Sequence, residues 1–123
     1  MGVEGDAGLV DRARANAAAN AITNTEFQVA DLAQLPPAPV GFMRQRYSHV
    51  LLDPPRVGAR EILGLIALMR PQRLLYISCH PGSLARDLGI LVHEHRYVLE
   101  AAGVVDMFPH TAHVESIALL TAG

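Results

Sequence analysis

The chain has 123 residues, 50% of them in the broad hydrophobic class, and a formal net charge of −2, which suits one domain with one core and excludes a disordered or fibrous protein. Ten basic residues against twelve acidic ones give no strong positive field, so a free-standing nucleic-acid-binding module is not indicated, and any RNA affinity must come partly from elsewhere. Apolar runs are only strand-sized, no signal pattern opens the chain, and one cysteine makes neither an internal disulfide nor a Cys-based metal cage, so no membrane is expected and a reducing, cytoplasmic setting is.

Gly2-Val3-Glu4 reads as the end of a strand. From Ala7 to Ala19 the apolar residues have helical spacing, and Asp6 is the predicted N-cap. Thr25 to Ala30 alternates polar and apolar residues, a strand closed by Asp31. A loop with Pro36, Pro37, Pro39 and Gly41 runs to about Arg46 and serves as a surface excursion or a weak hinge. Tyr47 to Leu52 is a nearly continuous apolar run, a buried strand stopped by Asp53-Pro54-Pro55. Ile62, Leu63, Ile66 and Met69 predict a helix over Arg60 to Met69, ended at Arg70 by Pro71. Arg73 to Cys79 is a second buried strand, and Pro81 opens a helix carried by Leu84, Leu88 and Leu91 to about His93. Tyr97 to Val105 and Val114 to Leu120 are two further strands, predicted to pair antiparallel because no helix separates them. This alternation argues for an α/β layer fold with a largely parallel sheet, and no linker is clear enough to divide residues 1–123 into domains.

In such sheets ligands bind beyond the carboxyl ends of the strands. Glu4, Asp31, Asp53 and Cys79 each follow an apolar run, so three carboxylates and a thiol are expected along one rim. Glu4 stands where nucleotide-binding α/β folds place a carboxylate that accepts from two ribose hydroxyls. Consecutive prolines stiffen Asp53-Pro54-Pro55-Arg56 and fix the direction of Asp53 and Arg56. Cys79 lies just before a helix start, where free amides and the helix dipole favour a thiolate, so it is placed to be a nucleophile. Adjacent side chains diverge, which argues against His80 as its base. His110, His113 and Glu115 have spacing that invites metal, but the surround is neither cysteine- nor carboxylate-rich, so no metal site is expected and Glu115 fits better as a proton acceptor.

The segments Asp53-Pro54-Pro55-Arg56, Ser78-Cys79-His80-Pro81, Leu84-Ala85-Arg86-Asp87 and Asp106-Met107-Phe108-Pro109-His110-Thr111-Ala112-His113-Val114-Glu115-Ser116, in this order and spacing, resemble those of the RNA uracil-5-methyltransferases. The resemblance runs from Gly2 to the C-terminus. It implies a Rossmann-like S-adenosylmethionine-dependent methyltransferase fold, incomplete at its N-terminus because the first strand and its Gly-rich loop are absent, with a mostly parallel sheet and a C-terminal antiparallel strand. Residues 1–123 would then be one partial catalytic domain, inactive alone. The implied substrate is a uridine in rRNA or tRNA, the wording from Asp106 to Thr111 being closer to the rRNA branch, and the implied methyl donor is S-adenosylmethionine. Cys79 would add to C6 of uracil and Glu115 would remove the C5 proton. Glu4 would hold the donor's ribose, Asp31 would lie near its adenine, and Asp53 would face its methionine part and the target base. Arg56 would touch RNA or organise its loop, and Arg86-Asp87 would be a structural pair. Departures are His80, where Asn is commonest, and Ser83, where Thr is usual; His80 is expected still to donate a hydrogen bond.

Two other readings follow from the same residues. One is a binding or assembly module of this fold that has lost methyl transfer and dimerises through an exposed sheet edge. The other is a different Rossmann-like nucleic-acid methyltransferase, such as one acting on cytosine, against which the separate Cys79 and Glu115 motifs argue.

Overall fold

The computed structural model describes all residues 1–123 as six strands and three α-helices, with a short 3-10 helix at Gly41–Arg44. Its contacts fall into two compact units, Met1–Ala38 and Pro39–Gly123. The boundary lies in the proline-rich loop. Pro36, Pro37 and Pro39 bring no backbone N–H to a helix or ladder, so this segment has little to tie it to regular elements.

The first unit is a β-α-β arrangement of β1 (Gly2–Glu4), α1 (Ala7–Ala19) and β2 (Phe27–Val29). β1 and β2 pair in parallel, with Glu4 opposite Val29. The Asp6 carboxylate accepts from the Leu9 N–H at 2.9 Å, the cap predicted for α1.

The second unit holds β3 (His49–Leu52), α2 (Arg60–Met69), β4 (Arg73–Ser78), α3 (Pro81–His93), β5 (Tyr97–Val105) and β6 (Glu115–Ala122). Its sheet has the order β3-β4-β6-β5. β3 and β4 are parallel, and β6 lies between β4 and β5 and is antiparallel to both. The sheet is therefore mixed rather than mostly parallel. The reason is the helix-free β5–β6 connection: without a crossover helix the chain reverses, and β6 then takes the inner position.

The core lies on one face of this sheet. α2 contributes Ile62, Leu63, Leu65, Ile66 and Met69, and α3 contributes Leu84 and Leu91. They meet Leu74 and Tyr76 of β4 with Ala118 and Leu120 of β6, all buried. Burial alternates along β4 and β6, as the two-residue period of a one-sided sheet requires. Where buried strands are expected at β3 and β4, β4 buries only alternate residues and β3 only its last. β3 is an edge strand whose Leu51 is 60% exposed. α2 ends one residue before Arg70, which takes a left-handed conformation (φ 50°) ahead of Pro71. No helix is long and apolar enough to cross a membrane.

Leu74 has no exposure and sits between β3 and β6 under the helices. Leu74→Ala should lower stability by about 2–5 kcal/mol, read as a lower urea midpoint with an unchanged slope.

Candidate active site

The strand registers bring the candidate residues to the ends of their sheets. In the first unit β1 ends on Glu4 opposite Val29, and Asp31 follows two residues later, so both carboxylates stand at the carboxyl end of the same parallel pair. One Glu4 oxygen accepts from the Asp6 N–H at 3.1 Å, and one Asp31 oxygen accepts from the Ala33 N–H at 2.9 Å. Each keeps a second oxygen free, and both residues are exposed.

In the second unit β4 runs antiparallel to β6 with Ser78 opposite Ser116. Cys79 is the next residue along β4's direction and Glu115 is the residue before Ser116, so the ladder delivers both to the same end. Two-residue alternation sets Glu115 on the face opposite the helix-covered one, and Cys79 follows in the bend just beyond β4. Asp53 follows Leu52, which pairs with Tyr76, and therefore leaves β3 at that end too. Asp53 is exposed and makes no side-chain hydrogen bond or ion pair within the chain. The thiol of Cys79 is exposed. Glu115 is half-buried.

The turn that presents Cys79 is closed by its neighbours. Ser78 is only 2% exposed, and its hydroxyl accepts from the His80 N–H and donates to the His80 carbonyl, both at 3.0 Å. With Ser78 bound on both sides of His80, the residue between them projects outward. His80 is the N-cap of α3: its Nδ1 accepts from the Ser83 N–H at 3.0 Å. The imidazole thus accepts where the sequence reading had it donate. A ring nitrogen does here the work of an Asn oxygen, which explains why His is tolerated at this position. With Nδ1 engaged in the cap, His80 is not directed at the thiol as a base.

Asp87 lies behind this turn with no exposure. Its Oδ2 accepts from the Tyr76 hydroxyl at 2.5 Å and from the Ala59 N–H at 2.8 Å, and its Oδ1 accepts from Arg86 at 2.8 Å. Sequence reasoning named Arg86-Asp87 as a structural pair but missed Tyr76 and Ser78. A signal existed: Asp87 falls between Leu84 and Leu91 on the apolar stripe of α3, where a carboxylate must have partners. Burial, then the hydrogen bond to Asp87 and its charge, push the Tyr76 hydroxyl far above its ordinary value, and burial also raises Tyr97. No group of three or more His, Cys, Asp or Glu residues is arranged to hold a metal ion.

A family model described as tRNA (Uracil-5-)-methyltransferase matches residues 6–123. The chain belongs to this family. The curated tRNA (uracil-5-)-methyltransferase-family relatives include proteins of Xanthomonas axonopodis pv. citri and Stenotrophomonas maltophilia, each named 23S rRNA (uracil(1939)-C(5))-methyltransferase RlmD. Both are 56% identical over 119 residues, covering 97% of this chain. The chain spans 27% of the length of these relatives. A Pyrococcus abyssi tRNA (uracil-54, C5)-methyltransferase, solved in complex with S-adenosyl-L-homocysteine, superposes with a TM-score of 0.77 at 31% identity over 98% of this chain and 28% of that one. The α/β methyltransferase fold is thereby established for the chain.

Two measurements test this local architecture. His80→Ala should cost about 1 kcal/mol by loss of the cap, whereas His80→Asn should keep stability within a few tenths of a kcal/mol, read by urea denaturation. The raised tyrosines set an alkaline limit. Because their folded-state pKa values exceed that of the unfolded chain, their stabilising share is complete below about pH 10 and is lost above it as the unfolded state ionises first. The urea midpoint should fall above about pH 10, and Tyr76→Phe should make that fall shallower.

Proposed function

We propose that the chain supplies catalytic and donor-binding residues of an S-adenosylmethionine-dependent RNA uracil C5 methyltransferase, with residues 1–123 as part of one catalytic domain of a longer enzyme and inactive alone. The carrying observation is the β4–β6 register, which brings Cys79 and Glu115 to one end of the sheet. The names of the 56% identical relatives favour rRNA over tRNA as substrate.

C5 of uracil is a poor nucleophile until something adds to C6. In this reading Cys79 forms a bond from its sulfur to C6, which places an enolate at C5. The donor, when bound, supplies a methyl group made electrophilic by its sulfonium: the bond to C5 forms as the bond to sulfur breaks. Glu115 then takes the C5 proton, and the electrons left at C5 restore the C5–C6 double bond as Cys79 departs as thiolate. The exposed thiol and the half-buried carboxylate suit these roles, one meeting a base from solution and the other taking a proton without full hydration.

The donor's chemistry fits the carboxylates. Glu4, with one oxygen held by the Asp6 amide and one free, would accept from the ribose hydroxyls. Asp31, held in the same way by Ala33, would lie by the adenine amine. Asp53, which has no partner within the chain, would face the methionine ammonium and the target base.

A second reading, association of two copies through a sheet edge, is favoured by the exposed Leu51 on edge strand β3. A concentration-independent monomer by size-exclusion mass measurement would remove it.

The mechanism is tested on the natural full-length protein that carries this sequence. With 5-fluorouridine RNA and S-adenosylmethionine it should form a covalent protein–RNA adduct, absent in Cys79→Ala. With unmodified RNA, Glu115→Gln should accumulate a methylated adduct that wild type releases. Binding of RNA without any adduct would sink the proposal.

A further inference from the structure

We infer that Asp87 is a positioning residue for the Asp53 loop: its buried carboxylate fixes the segment from Asp53 to Ala59 relative to Cys79, so that the thiol and this loop form one rigid unit. The inference rests on the roles proposed above for Cys79 and Asp53.

A single oxygen joins the parts. Asp87 Oδ2 accepts from Tyr76, three residues before Cys79 on β4, and from the amide of Ala59, which closes the loop that begins at Asp53. Asp87 itself sits on α3, which starts two residues after Cys79. The strand before the thiol, the helix after it and the neighbouring loop are therefore tied at one point.

Two further side chains of α3 hold the loop between its ends. Ser83 Oγ donates to the Arg56 carbonyl at 2.8 Å, and Arg86 donates to the Val57 carbonyl at 2.8 Å while binding Asp87. Residues 56, 57 and 59 are thus each held by α3, and Pro54 and Pro55 restrict the half nearer Asp53. Gly58 completes the fit. Its φ is +90°, and a Cβ there would lie 2.6 Å from both Arg86 and Asp87.

Stability alone gives no reason for this arrangement. Replacing Asp87 together with its Tyr76 and Arg86 partners by apolar side chains would fill the same space without burying a charge, and such concerted replacements are often neutral or stabilising. The bonds run to an irregular segment that carries candidate site residues. Displacing such a segment by about 1 Å is enough to cost on the order of 100-fold in rate.

The test uses the natural full-length protein with Asp87→Asn, Asp53→Ala and the double variant. Asp87→Asn should lower turnover per folded molecule about 100-fold with an unchanged circular dichroism spectrum and an unchanged rate of Cys79 alkylation by iodoacetamide. The double variant should be no slower than Asp53→Ala alone, because both changes act through one loop. Independent, multiplying losses would overturn the inference, as would an Asp87→Asn enzyme of full activity. A second readout does not need turnover: amide hydrogen exchange over residues 56–59 should accelerate at least about 10-fold in Asp87→Asn while that of α3 holds. Unchanged exchange overturns the clamp. Wild-type protein that transfers no methyl group would defeat the function proposed above, and the exchange result would still decide the clamp. If Asp87→Asn does not fold, Tyr76→Phe removes one donor from the same oxygen at nearly constant volume; it should give smaller changes in the same directions, and no change in either readout would overturn the inference.

Discussion

A carboxylate with no exposure to water must find its hydrogen bonds inside the protein, and Asp87 finds them on a strand, a loop and its own helix. An unpartnered charge there would cost several kcal/mol, against a total stability of about 5–15 kcal/mol for a domain of ordinary size. The second unit can hold this group only if β4, α3 and the loop after β3 are in place together. That requirement makes the surroundings of Cys79 cooperative. The thiol lies exposed on a turn whose neighbours on either side, Ser78 and His80, are committed to hydrogen bonds within the backbone and the helix cap.

The sheet contributes by direction. Parallel β3 and β4 leave the layer at the same end, and antiparallel β6 enters it there, so Asp53 and Cys79 come from strand exits whereas Glu115 comes from a strand entrance. A wholly parallel sheet would have carried the start of β6 to the far end. The antiparallel strand is therefore what brings an acid and a thiol to one end of the sheet, with the acid on the face away from α2 and α3.

Most of this organisation was legible in the residues. The helices at Ala7–Ala19, Arg60–Met69 and Pro81–His93 coincide with their predicted bounds because caps, prolines and apolar spacing agree there. All the expected strands form, several with shifted ends: β2 and β3 are shorter than expected, β4 stops one residue earlier at Ser78, and β6 runs two residues further to Ala122, while Glu26 and Ser48 bond the neighbouring strand only through their carbonyls. Burial was misjudged for β3. An apolar run looks alike whether both faces are covered or one, and only the strand order shows that β3 is an edge. The position of β6 inside the sheet was hidden for the same reason, because strand order is a long-range property. Cys79 and Glu115 stand out as candidates from local context, whereas the Tyr76–Asp87–Ala59 junction joins residues up to 28 apart and leaves only the trace of an acid on an apolar stripe.

The placement of β6 also has a bearing on how the protein comes to be made. A ribosome delivers β4 and β5 before the strand that belongs between them, so neither can complete its ladder until β6 has emerged. Until then β5 has no partner in the sheet, and Cys79 lacks the neighbour that its register assigns. The nascent chain thus carries Cys79 before Glu115 has a strand to stand on, and the two residues reach one end of the sheet only when β6 has paired with β4.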